Sequence, residues 1–208
     1  MFAFTGSHRS GKTTLARDVA GRLGLFFHET SVSRLMQERG INMVEDMSIE
    51  KRLEAQEILL EAFAEQLNDI PSPFVSDRCP IDMIAYTLAE VGMHDSSKEL
   101  GERIQAYTDH ALEITAMHYD LIVVTRPLPS YEEDPTKPPM NPAYQSHIQF
   151  IIEGAAHSIE RATRSLQNDV TTAYLRSHFH EERLEACCEL FQNHMEKLSI
   201  ASYTSTFH

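Results

Sequence analysis

The sequence predicts an α/β fold in which a mostly parallel, five-stranded sheet lies between two layers of helices. Two observations carry this prediction. Short β-rich runs alternate with longer helical patterns along the whole chain, which is the order that a parallel sheet requires. The run LIVVT at 121–125 is continuous, apolar and β-branched, as is typical of a strand that is buried on both faces.

Hydrophobic spacing and turn residues place the individual elements. Strands are predicted at 2–5, 23–29, 74–78, 121–125 and 169–175. Helices are predicted at 11–23, 31–40, 49–67, 80–92, 97–117, 143–166 and 180–198. Ser48 is a candidate N-cap for the third of these helices, and Pro80 occupies the first turn of the fourth.

Length, charge and cysteine content restrict the class of protein. With 208 residues, we expect one domain that spans 1–208. The net charge of -13 disfavours a nucleic-acid partner without excluding one, because phosphates select basic surfaces. No apolar run is long enough for a membrane span, and the N-terminus does not resemble a signal peptide. Three cysteines form no disulfide framework, so we expect a cytoplasmic protein; a homodimer stays open.

The segment GSHRSGKT at 6–13 fits the phosphate-binding pattern G-x-x-x-x-G-K-[ST] between a predicted strand and a predicted helix. Glycines permit turns whose N–H groups point at phosphate oxygens, and the helix adds its positive end. Lys12 is expected to reach the β- and γ-phosphates of ATP, and Thr13 to bind Mg²⁺. Arg9 either contacts phosphate or faces solvent, and Thr14 is more typical of a helix residue than of a second metal ligand. The predicted cofactor-binding residues are Gly6, Ser7, His8, Arg9, Ser10, Gly11, Lys12, Thr13 and Thr14.

Charged residues follow other predicted strands, at the edge of the sheet where ligands bind in such folds. Asp77 is expected either to hold Mg²⁺ or to accept a proton from an attacking hydroxyl, and Glu29 competes for the second role. Arg78 is expected to bind an acceptor phosphate bidentately, and Arg34 to face the same acceptor. Ordinary alternatives are a helix cap for Asp77, a salt bridge for Arg78, and solvent exposure for Glu29 and Arg34.

The proline-rich segment at 126–142 is too long for a routine connection and cannot form regular structure. We expect it to act as a lid, since phosphoryl transfer needs water to be excluded and cations to surround the transferring group. Arg126 and Lys137 are its candidate substrate-binding residues. The acidic residues at 132–134 are more consistent with a solvated loop.

Three segments together resemble the P-loop nucleoside and nucleotide kinases: GSHRSGKT, HETSVSR at 28–34, and FVSDRCPIDMIAY at 74–86. The third is similar to the thymidylate kinase pattern D-R-Y-x-x-S-x-x-A-Y-Q. Four of its residues match that pattern and three depart from it; the matches are Asp77, Arg78, Ala85 and Tyr86, and the departures are Cys79, Asp82 and Thr87. V-S-D-R-x-x-x-D-x-x-A-Y resembles even more closely the small P-loop kinase-like ATPases related to the nicotinamide riboside kinase domain, and phage deoxynucleotide kinases are also similar.

The resemblance covers residues 2 to about 166, and it implies a three-layer P-loop NTPase fold with ATP and Mg²⁺ as cofactors. It also implies an acidic base, an arginine on the acceptor and an arginine-bearing lid, of which Asp77 and Arg78 match the first two by position. The lid departs from the family, because Asp134-Pro-Thr-Lys137 stands where a D-G-x-R-type segment is expected. More weakly, HEERLE at 180–185 is similar to the region that flanks the adenine in such kinases.

We therefore expect transfer of the ATP γ-phosphoryl group to a (deoxy)nucleoside monophosphate. Two alternatives stay open at this point. One is a kinase that acts on a nucleoside, on nicotinamide riboside or on a modified base in DNA. The other is a nucleotide-dependent regulatory ATPase whose partner is a protein.

Overall fold

The computed structural model describes residues 1–41, 48–91, 97–129, 141–164 and 169–205. Within those ranges the strands are β1 (Phe2–Thr5), β2 (Phe26–His28), β3 (Phe74–Ser76), β4 (Leu121–Val124) and β5 (Thr171–Tyr174). The helices are α1 (Lys12–Leu23), α2 (Val32–Glu38), α3 (Ile49–Asn68), α4 (Pro80–Glu90), α5 (Lys98–His118), α6 (Pro142–Thr163) and α7 (His180–Ser205). Every predicted strand and helix is thus present, and the predicted α/β class is confirmed.

The five strands form one sheet in the order β2-β3-β1-β4-β5. Every pairing is parallel, so the sheet is entirely rather than mostly parallel. Because β1 lies at the centre between β3 and β4, the segment that leaves its carboxyl end is flanked by the ends of both neighbours. This arrangement brings the segments at 6–13, 77–79 and 125–128 to one edge of the sheet.

The sheet separates two apolar cores. Along β1, Phe2 and Phe4 enter one core and Ala3 enters the other, as alternation along a strand requires. On the Phe2 side, α1 and α7 cover the sheet, and the ring of Phe191 stacks on Phe2 with centroids 4.5 Å apart. Cys187 is buried in the same core.

The second core lies on the opposite face and is larger. Buried residues from α3, α4, α5 and α6 meet there, and Leu59, Phe63, Ile84 and Ile148 are each at most 1% exposed. Helix α4 lies between α5 and α6 and is predominantly apolar, which fits its central place. The start of α4 therefore has a fixed position relative to the sheet edge.

Several boundaries differ from the predicted ones, for local reasons. Strand β2 begins only at Phe26, because Gly24 ends α1 in the left-handed conformation (φ 67°). Strand β3 ends at Ser76, before Asp77 and Arg78. The predicted N-cap is confirmed, since the Ser48 side chain accepts a hydrogen bond from the backbone N–H of Lys51.

Most of the predicted lid, at 130–140, lies outside the described residues. Across the part of the chain that is described, no helix combines the length and the apolar character needed to cross a membrane.

Candidate phosphate-binding site

Two glycines determine the backbone conformation of the loop between β1 and α1. Gly6 has a φ of 150°, and a Cβ atom there would lie 2.4 Å from Oγ1 of Thr125, so only glycine fits against β4. Gly11 has a φ of 74° and precedes the first turn of α1. Arg9 also has a positive φ, of 60°. The loop therefore turns tightly over the end of the sheet and leads into a helix N-terminus, which is the arrangement that favours a bound anion.

Lys12 lies beneath this loop with only 7% of its surface exposed. Its ammonium group donates hydrogen bonds to the carbonyl oxygens of Gly6 and Ser7, the latter at 3.0 Å. Burial lowers the pKa of Lys12 to about 8, although the nearby Asp82 carboxylate opposes the shift. The lysine is thus a buried cation inside the turn of the loop.

Helix α6 holds the loop from one side through two buried glutamines. Oε1 of Gln149 accepts from the Ser7 N–H at 3.1 Å, and Nε2 donates to the Thr125 carbonyl at 3.1 Å. One turn earlier, Nε2 of Gln145 donates to the His8 carbonyl at 2.8 Å. The first peptides of the loop are therefore oriented by a helix far along the chain.

Helix α7 holds the loop from another side. Arg183 is 3% exposed, and its Nη2 donates to the Ser10 carbonyl at 2.8 Å. The hydroxyl of Ser10 in turn lies 2.8 Å from Oγ1 of Thr125. A Cβ atom at Gly11 would lie 3.4 Å from both Arg183 and Leu128, so these side chains pack closely on the loop.

Asp77 connects the loop to the end of β3. Its Oδ2 accepts from the Thr13 hydroxyl at 2.6 Å, and its Oδ1 accepts from the Thr30 N–H at 2.8 Å. A hydroxyl and a carboxylate beside a phosphate-binding loop suit Mg²⁺, which takes few protein oxygens and completes its shell with phosphates and water. No cluster of three or more His, Cys, Asp or Glu ligands occurs among the described residues.

Arg78 and Asp82 extend the site from Asp77 into α4. The Arg78 side chain is 31% exposed and its guanidinium lies 3.9 Å from Asp82, whose side chain is 2% exposed. Asp82 also lies 3.9 Å from the Lys12 ammonium group. Burial raises the pKa of Asp82, and the two cations oppose that shift. Lysine, arginine and carboxylate therefore form one electrostatic group.

Two other predicted residues at the sheet edge have partners away from the loop. Glu29 is 58% exposed and pairs with Arg17 at 3.0 Å. Arg34 pairs with Glu38 on its own helix at 3.5 Å.

Arg126 is 55% exposed and pairs with Glu153 at 3.3 Å. The remaining predicted substrate-binding residue, Lys137, lies outside the described residues.

The other loop residues differ in environment. His8 is half-buried with its ring 6.0 Å from that of Tyr144, and burial, followed by the nearby Lys12 charge, lowers its pKa. Thr14 is exposed on the first turn of α1. Its position fits the helix role considered for it more readily than a metal role.

Sequence reasoning missed four polar or charged side chains that contact the loop or its lysine. These are Asp82, Gln145, Gln149 and Arg183. For the glutamines a signal existed, because both occur on the apolar stripe of α6 that contains Ile148 and Ile152. A polar residue on a buried stripe indicates a specific hydrogen-bond partner.

Comparison with known proteins gives one family match and several similar folds. The model of the AAA_28 family, described as an AAA domain, matches residues 1–173. A structure of deoxyadenosine kinase from M. mycoides with the products dCMP and a flexible dCDP bound has a TM-score of 0.58 at 11% identity, over 95% of this chain and 98% of that chain. A second structure of that enzyme, with bound dCTP, has a TM-score of 0.54 at 13% identity, over 94% and 98%. Among curated proteins, none matches this chain.

Proposed function

Since this chain belongs to the AAA domain family and has the P-loop kinase fold expected from its motifs, we propose that it is a phosphotransferase that moves the ATP γ-phosphoryl group to a (deoxy)nucleoside monophosphate. One observation carries the proposal. The 2.6 Å hydrogen bond between Thr13 and Asp77 joins the phosphate loop to a strand end whose next residue is Arg78. A donor site and a cation suited to an acceptor thus share one edge of the sheet.

On the donor side, the loop N–H groups and the start of α1 bind the triphosphate. Lys12 supplies a buried positive charge beside the β- and γ-phosphates, where the low dielectric strengthens its effect. Thr13 and Asp77 are the residues that would hold Mg²⁺. When bound, that ion neutralises negative charge on the phosphates.

On the acceptor side, the hydrogen bonding favours a phosphate over a hydroxyl. A hydroxyl needs a base to take its proton, whereas a phosphate oxygen is already ionised near neutral pH. Both oxygens of Asp77 already accept hydrogen bonds, and Glu29 is exposed and paired with Arg17. Arg78 supplies a cation on a partly exposed side chain, as a phosphate acceptor requires.

A second candidate is a deoxynucleoside kinase. The fold likeness to deoxyadenosine kinase over nearly the whole of both chains supports it. In that case a sugar hydroxyl replaces the acceptor phosphate, and Asp77 or Glu29 must serve as the base.

The test is an acceptor screen with ATP, Mg²⁺ and a panel of nucleosides, nucleoside monophosphates, nicotinamide riboside and an oligonucleotide. Products are identified by mass spectrometry. We expect a nucleoside diphosphate as the main product. A nucleoside monophosphate as the main product would instead establish the second candidate. ATP turnover that no acceptor alters would contradict both and indicate a regulatory ATPase.

Asp77→Asn separates the two acceptor types once a substrate is found. We expect a loss in kcat of about tenfold to a hundredfold with a phosphate acceptor, because the metal-side charge is weakened. With a hydroxyl acceptor the loss in kcat would be larger, since proton abstraction fails as well. Asp69→Asn, at the exposed end of α3, is the matched control and should leave kcat unchanged.

A further inference from the structure

Asp82 is a buried carboxylate for which the proposed reaction has so far no use. It lies in the first turn of α4, where Oδ2 accepts from the Cys79 N–H at 3.2 Å. Its other oxygen, Oδ1, is buried without a well-formed hydrogen bond among the described residues, although the Thr5 side chain lies close enough to lower the pKa of the carboxyl. That oxygen lies 3.9 Å from the Lys12 ammonium group and 3.9 Å from the Arg78 guanidinium.

A helix-capping role accounts for only one of the two oxygens. The hydrogen bond to Cys79 needs an acceptor, and a neutral amide oxygen would serve equally well. A buried charge is costly unless it is compensated, and here two cations from different segments compensate one oxygen. The negative charge itself is therefore the part of Asp82 that the helix cap leaves unexplained.

The two distances suit a counterion better than a fixed salt bridge. At 3.9 Å the attraction is strong in a buried setting, yet neither cation is held by a hydrogen bond to Oδ1. The carboxylate therefore acts on both cations through charge, while Lys12 donates its hydrogen bonds to the Gly6 and Ser7 carbonyls. Lys12 belongs to the donor loop, and Arg78 follows the strand end that we assign to the acceptor.

We propose that Asp82 is a positioning residue, a shared counterion that holds Lys12 and Arg78 at one point so that the donor and acceptor phosphates meet there. The inference rests on the proposed function, in which these cations bind the two substrates. Asp82 acts through the cations and contacts neither substrate. Because it is itself negative, it also opposes the binding of each phosphate before transfer.

The decisive variant is Asp82→Asn, which keeps an oxygen for Cys79 and removes the charge. Calorimetric titration should show ATP bound at least about threefold more tightly than by the wild type, because a repelling charge near the phosphates is gone. Phosphoryl transfer should show kcat reduced at least about tenfold with no rise in either KM, since binding survives and alignment fails. Asp109→Asn, on the exposed face of α5, changes the net charge equally and should alter neither quantity.

The outcomes separate this inference from the proposed function. Unchanged or weaker ATP binding by a folded Asp82→Asn protein overturns the counterion role, whether or not an acceptor has been found. A second outcome is that the wild type phosphorylates no acceptor while the variant binds ATP more tightly. That outcome overturns the proposed function and the alignment of an acceptor. It still supports the counterion role toward Lys12. If Asp82→Asn unfolds, the double variant with Arg78→Gln decides the matter. A counterion predicts recovered thermal stability when one cation is removed with the carboxylate, and no recovery overturns it.

Discussion

The phosphate loop and the neighbouring charged rim, formed by Glu29, Arg34 and Arg126, lie at the same edge of one sheet, yet they are held very differently. The loop is hydrogen-bonded to α6, to α7 and to the residue that follows β4. The rim charges are 55–60% exposed and pair with other surface side chains. Exposed pairs of this kind contribute little stability. The comparison shows a preorganised loop beside surface charges that are held only by exposed ion pairs.

The largest expected effect comes from Gly6→Ala, which attacks the preorganised loop directly. The new Cβ atom would lie 2.4 Å from Thr125 Oγ1 and 2.5 Å from its carbonyl oxygen, at a φ of 150° that favours glycine. We expect ATP binding to be lost and the free energy of unfolding to fall by more than about 2 kcal/mol. Urea denaturation and ATP titration measure both.

Gly101→Ala, in α5, is the control, because a Cβ atom there meets nothing within 4 Å. It should stabilise the protein by about 0.5–1 kcal/mol. Equal behaviour of the two variants would mean that the close approach of loop and β4 is unimportant.

The next effect is the pH dependence of ATP affinity. Burial lowers the pKa of Lys12 to about 8, so its positive charge is present below that pH and is lost as the pH rises through it. Bound phosphate stabilises the charged form, so affinity should be constant below the pKa and should fall above it, by up to about tenfold per pH unit. Titrations from pH 7 to 9.5 measure this. Lys12→Arg stays charged, and a curve as steep for that variant would assign the pH effect to another group.

A smaller effect is expected for Gln149→Leu, which tests the support from α6. The substitution keeps the side chain's bulk and leaves the Ser7 N–H and the Thr125 carbonyl without a partner. We expect a loss of about 1–3 kcal/mol in unfolding free energy and roughly tenfold weaker ATP binding. Gln105→Leu, on the exposed face of α5, is the control and should change neither the unfolding free energy nor ATP binding. Unaltered ATP binding by Gln149→Leu would show that the loop holds its shape without α6.

The smallest effect is expected for Glu29→Gln, on the exposed rim. Its only charged partner in the described structure is Arg17, so we expect kcat/KM to change by less than about twofold. Steady-state kinetics with the acceptor found in the screen measures this. A loss of about a hundredfold or more would make Glu29 the base and favour a hydroxyl acceptor.

The same contrast explains what could be predicted from the sequence. The β–α alternation, the glycine turn and Lys12 are local patterns, and each specifies backbone shape or charge within a few residues. Ser48 likewise caps the helix that it precedes. These features could be predicted because the residues that determine each of them lie within a few positions of it in the sequence.

Contacts between distant segments could not be predicted. The pairing of Gln149 with Ser7 depends on which face of α6 meets the loop, and that face is set by packing across the whole sheet. Asp82 is a similar case, since its two cations come from different segments. Glu29 pairs with Arg17 of α1, and that contact depends on how α1 packs beside β2.

Helix α7 has a consequence for how the chain acquires its structure during synthesis. Phe191 of α7 covers Phe2 and Phe4 of the first strand, and Arg183 completes the loop that follows that strand. While the ribosome is still producing the intervening segments, α1 can already pack on this side of β1, but the aromatic contact from α7 is missing. The aromatic packing on β1 and the support that Arg183 gives to the loop therefore form only after α7 has been synthesised.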